Sequence, residues 1–120
     1  LPKYEWADEL IELCRSTAPT VIMTRPAPNP ESAQGKMEWI QANFPDIWRF
    51  AITPVKHHMA HPGGLLIDDS ADGTKLFREH GGWAYTFPQP WNCKDWQERD
   101  RLAEIRELIN ELQHRAPMPW

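Results

Sequence analysis

Short apolar runs, each stopped by proline or charge and most of them separated by helix-length segments, constrain this chain more than any other feature. Thr20-Val21-Ile22-Met23-Thr24 is a β-branched run halted by Arg25-Pro26-Ala27-Pro28. Trp48-Arg49-Phe50-Ala51-Ile52 ends at Thr53-Pro54, Leu65-Leu66-Ile67 runs from Gly64 into Asp68-Asp69, and Trp83-Ala84-Tyr85-Thr86-Phe87 stops at Pro88. Between and before them lie helical patterns. One covers about 5–16, with Trp6, Leu10, Leu13 and Cys14 at helical spacing. A second starts at Asn29-Pro30-Glu31, a cap followed by proline and an acid, and places Ala33, Met37, Ile40 and Phe44 on one face. A third covers Ala71–His80, capped by Asp69 or Ser70 and closed by Gly81. The order helix, strand, helix, strand, strand, helix, strand predicts an α/β domain with a mainly parallel sheet and flanking helices.

A chain of 120 residues is sized for one domain that buries roughly two thirds of the surface its unfolded form exposes. The segment from about Asp95 to His114 differs from the rest: it is charged, lacks glycine and proline, and sets Leu102, Ile105, Ile109 and Leu112 on one seam. It is expected to be an amphipathic helix of roughly 30 Å. Its seam must pack on the domain or on a second chain, so an oligomer is one way to cover it. Pro117-Met118-Pro119-Trp120 reads as irregular.

A net charge of −4 with acids and bases interspersed argues against a nucleic-acid polymer as partner. Small anionic ligands remain compatible with it. Cys14 and Cys93 show no metal-site spacing and give weak support for a disulfide, so a reducing cytoplasm is the expected setting. No apolar stretch approaches the ~20 residues that would span a bilayer, and the first residues do not read as a signal peptide. A chain opening on Leu1 rather than Met raises the expectation that an upstream part is missing.

In a parallel sheet the strand C-termini share one edge, where ligands bind. Thr24, Thr53, Asp68 and Asp69 are therefore expected there, with Lys56 from the preceding loop. Carboxylates suit Mg²⁺, and hydroxyl and ammonium groups suit phosphate oxygens, which points to phosphoryl chemistry. The competing reading is that Asp69 only caps a helix and Thr24 only ends a strand. Arg25, beside Thr24, either clamps phosphate or is solvated. His57, His58 and His61 resemble a metal cluster, but Pro62-Gly63 breaks the rigid platform such a cluster needs, so they read as loop histidines. Asp72-Gly73-Thr74 imitates a nucleophile motif without a strand before it, and reads as part of a helix. The seven tryptophans are scattered away from basic clusters, which favours core and anchoring roles over base stacking.

Taken in order, Val21-Ile22-Met23-Thr24, Gly35-Lys36-Met37-Glu38-Trp39-Ile40, Ile52-Thr53-Pro54-Val55-Lys56-His57, Leu65-Leu66-Ile67-Asp68-Asp69, Gly81-Gly82 and Phe87-Pro88-Gln89-Pro90-Trp91-Asn92 resemble the 5′(3′)-deoxyribonucleotidase branch of the haloacid-dehalogenase-like phosphatases. The resemblance covers about residues 5–92, and the ending at Trp91-Asn92 looks most like phage and bacterial members. It implies a Rossmann-like sheet and Mg²⁺-dependent hydrolysis of a nucleoside monophosphate through an aspartyl-phosphate, in a bacterial or phage-infected cytoplasm. Thr24 and Lys56 match the family's phosphate-binding hydroxyl and lysine, Asp68 with Asp69 its acidic metal motif, and Lys36 a lysine common in the helix after the hydroxyl strand.

The sequence departs from the family in one respect. Members begin with a strand ending in Asp-x-Asp-Gly-Thr, whose first aspartate is the nucleophile and whose second is the general acid; no such segment is present. That strand lies between the Thr24 and Asp68 strands. The resemblance thus implies a partial phosphatase domain over 1–92 and a helical tail over 93–120, with the central catalytic strand missing and supplied by an N-terminal segment or a partner chain. Without it two sheet edges would be left unpaired, and the family's arrangement should not be stable alone. The alternative is an inactive scaffold or interaction protein that kept the fold and associates through the tail seam.

Overall fold

Helix starts and strand stops lie close to where the local chemistry places them. The computed structural model describes residues 1–115; the expected irregular end at 117–120 lies outside the described residues. Among the described residues the order is α1 (Ala7–Thr17), β1 (Ile22–Thr24), α2 (Pro30–Asn43), β2 (Phe50–Ile52), a 3₁₀ turn (Lys56–Met59), β3 (Leu65–Asp68), α3 (Ala71–Glu79), β4 (Trp83–Thr86), a second 3₁₀ turn (Trp96–Glu98) and α4 (Arg101–Arg115). The mixed α/β class expected from the sequence is observed. Its strands form two separate parallel pairs, β1 with β2 and β3 with β4. The chain divides after Val55 into two compact units. No helix among the described residues is long and apolar enough to cross a membrane.

In the first unit, the Asn29 side chain accepts the Ser32 amide at 2.8 Å and Pro30 stands at the first helical position, so α2 starts as its sequence dictates. Of its expected apolar face Ile40 is buried, whereas Met37 stays 38% exposed. The β1–β2 ladder sets Ile22 opposite Phe50 and Thr24 opposite Ile52. It is shorter than the apolar runs, because Val21 and Trp48 at its entrance stay exposed. The Trp39 indole donates to the Leu1 carbonyl at 2.7 Å, tying the start of the chain to α2.

In the second unit, Ser70 caps α3 by accepting the Gly73 amide at 3.0 Å, which selects Ser70 over Asp69 as the cap. Gly81 takes a φ of +95° just past the helix, a conformation glycine adopts without strain. Gly82 has a different reason: a Cβ there would lie 2.2 Å from Cε1 of buried Phe77. Thr74, fully buried, shares a 2.6 Å hydrogen bond with the Thr86 hydroxyl and so fastens α3 to β4.

The C-terminal helix corrects one expectation. A single helix from Asp95 to His114 does not form; the 3₁₀ turn ends at Arg99 in extended backbone, and α4 begins only at Arg101. The Asp100 carboxylate accepts the Ala103 amide at 3.1 Å and restarts the helix as an N-cap. Fifteen residues make about 22 Å of helix rather than 30. The seam is covered: Ile105, Ile109 and Leu112 are buried, with Leu102 partly so. Tyr85 donates to Glu104 at 2.7 Å and Arg101 to the Pro88 carbonyl at 2.9 Å, so α4 shares its unit with β3 and β4.

Candidate functional site at the end of the Asp68 strand

Because β3 and β4 run parallel with Asp68 opposite Thr86, both strands deliver their C-terminal residues to one edge. Leu66, buried, holds the middle of β3, and polarity begins where the apolar run ends. Past the ladder, Phe87 donates its amide to the Asp68 carbonyl at 2.7 Å. The Asn92 side-chain amide then donates to the carbonyls of Asp69 (2.9 Å) and Phe87 (3.0 Å) and accepts the Gln89 amide (3.0 Å). One side chain thus ties the two loops that leave the sheet and holds the backbone of the acidic pair. The sequence offered Asn92 only as part of the family-like ending, without a role, because its partner Asp69 is remote in the chain.

Lys56, from the 3₁₀ turn, donates Nζ to Oδ2 of Asp68 at 3.0 Å; the two side chains are 21% and 12% exposed. The other oxygen of Asp68 accepts the Ser70 amide at 3.3 Å. Asp69 stands beside them half-buried, and its pKa is raised above the ordinary aspartate value, first by burial and then by the negative charge of Asp68. Lys56 offsets only part of this. Two adjacent carboxylates that lack full charge compensation offer the hard oxygens Mg²⁺ takes, one or two acids completed by phosphate and water. Asp68 and Asp69 therefore fit that ion by donor type.

The structure brings Lys56, Asp68 and Asp69 together in the second unit. Thr24 and Arg25 stand at the end of β1 in the first unit, where Thr24 is half-buried and its carbonyl accepts the Thr53 amide at 2.8 Å, and Arg25 is exposed. Lys36 is half-buried in α2 of that unit. Asp72-Gly73-Thr74 forms the first turn of α3, as read from the sequence.

The histidines divide. The ring of His57 lies 4.6 Å from that of His58 and 4.7 Å from that of His80, and partial burial with these two neighbours lowers its pKa. His61 instead accepts the Gly63 amide through Nδ1 at 3.2 Å. Among the described residues no group of three or more His, Cys, Asp or Glu gathers to hold a metal ion. Compared with known proteins, the chain matches no family model, no curated protein and no solved structure.

Proposed function

We propose that this chain is the portion of a haloacid-dehalogenase-like 5′-nucleotidase that holds phosphate and metal, acting on deoxynucleoside monophosphates once an N-terminal segment or partner chain supplies the nucleophilic aspartate. The observation that carries the reading is the Lys56–Asp68 pair at the C-terminal end of a parallel strand, with Asp69 beside it. The parallel pairing of β1 with β2, and of β3 with β4, is compatible with it.

In this reading Lys56 turns its remaining N–H groups to phosphate oxygens while keeping one on Asp68, which fixes its position without neutralising the site. Asp68 and Asp69 hold Mg²⁺, which when bound polarises the phosphoryl group and offsets its charge. Asn92 keeps the Asp69 backbone in place. None of these groups is an in-line nucleophile of the kind the family's covalent mechanism needs, so phosphate binding without turnover is expected of the chain alone.

Calorimetric titration with Mg²⁺ and then inorganic phosphate tests the reading. Mg²⁺ binding that weakens roughly tenfold or more in Asp68→Asn, with phosphate binding lost in Lys56→Ala, supports it. Unchanged Mg²⁺ affinity in Asp68→Asn contradicts it.

A further inference from the structure

The first unit contains a cleft of about 410 Å³ at the opposite end of its strand pair, beside the entrances of β1 and β2 rather than their C-termini. That volume is in the range of roughly 300–1,000 Å³ typical of small-molecule sites. The end of α1 gives it Arg15, Ser16 and Thr17; the approach to β1 gives Thr20; the approach to β2 gives Trp48 and Arg49. The backbone at its rim is held by the Ile22 amide donating to the Arg49 carbonyl at 3.2 Å.

Three properties define what this cleft can take. Arg15 and Arg49 are both exposed and form no ion pair among the described residues, and one acid, Asp46, does not cancel them. Two guanidiniums from separate elements suit a dianion better than a monoanion, since each can present a planar pair of donors. The hydroxyls are already polarised: Ser16 and Thr17 donate to the Leu13 carbonyl at 2.9 and 2.8 Å, and Thr20 to the Ala18 carbonyl at 3.0 Å. Their oxygens are left to accept, so a ligand meeting them must bring its own O–H donors. Trp48, 76% exposed with Arg49 stacked over it at 5.2 Å, offers a flat apolar surface next to one of the cations.

We infer that this cleft binds a phosphorylated polyol, with phosphate on Arg15 and Arg49, hydroxyls donating to Ser16, Thr17 and Thr20, and the carbon face of the ligand on Trp48. A sugar phosphate has this chemistry; inorganic phosphate and a neutral sugar each have half of it. The site is independent of the phosphate site proposed above.

Nitrogen-15 NMR of the full chain reads it directly, following the Trp48 indole signal assigned with Trp48→Phe. Ribose 5-phosphate is expected to shift that signal and to bind roughly tenfold or more tighter than inorganic phosphate or ribose. The double variant Arg15→Gln/Arg49→Gln, which alters exposed side chains only, is expected to abolish the shift. Lys75→Gln, which removes an exposed positive charge on α3, is expected to leave it unchanged. No shift at Trp48, equal affinity for inorganic phosphate, or a shift that survives in the double variant would overturn the inference.

Discussion

At the scale of single residues, Asp69 reports on the acidic pair. Burial and the neighbouring Asp68 charge raise its pKa above the ordinary 3.8, so the folded chain binds this proton more tightly than the unfolded one. Its contribution to stability is therefore complete below the unfolded value and is lost as pH rises through the raised folded value. Urea denaturation of the wild type and Asp69→Asn across this range is expected to show wild-type stability falling relative to the variant as pH rises; parallel curves would mean that the fold does not raise the Asp69 pKa. The placing of Asp68 and Asp69 at a strand end was legible in the sequence because the signal is local, an apolar run that ends in charge, whereas Lys56 lies twelve positions upstream in the preceding loop and meets Asp68 only through the fold. Ser70 and Asp69 were equivalent as caps on paper, since only backbone geometry decides which oxygen meets the Gly73 amide. The bond from Asn92 to the Asp69 carbonyl spans 23 positions, and nothing local announces it.

Among the elements, α3 and α4 show what periodicity conveys and what it misses. The seam Leu102, Ile105, Ile109 and Leu112 was legible as a face in need of cover, and its last three members are buried. The break before α4 was not, because a charged run without glycine or proline looks continuous until Asp100 accepts the Ala103 amide. Hydrogen exchange is expected to show the amides of 105–112 protected and those of 95–100 exchanging faster; a uniformly protected 95–114 would restore the single helix. The α3–β4 turn depends on Gly82, where a Cβ would overlap the Phe77 ring at 2.2 Å. Gly82→Ala is expected to cost about 1–3 kcal/mol, measured by denaturant unfolding, as overpacking does in a core that cannot shift freely. An unchanged midpoint would mean that the Phe77 ring is free to move.

For the molecule as a whole, what matters is that β1 and β2, and β3 and β4, pair as two separate two-stranded sheets. Two-stranded sheets are marginal by themselves, and every strand in one keeps an unpaired edge. The sequence conveyed the mixed α/β class and the order of elements along the chain but neither the two separate strand pairs nor the division after Val55, which depend on contacts distant in the chain. In the proposed reading a strand carrying Asp-x-Asp-Gly-Thr binds only the folded form, and its addition should raise thermal stability by mass action as well as complete the chemistry. The most direct test is one preparation assayed twice for Mg²⁺-dependent phosphate release from deoxynucleoside monophosphates, before and after a polypeptide bearing that strand is added. The account predicts no hydrolysis by the chain alone and hydrolysis on addition, lost again with Lys56→Ala or Asp68→Asn. Hydrolysis by the chain alone that Asp68→Ala abolishes would contradict it, because an acid already present would then be the nucleophile.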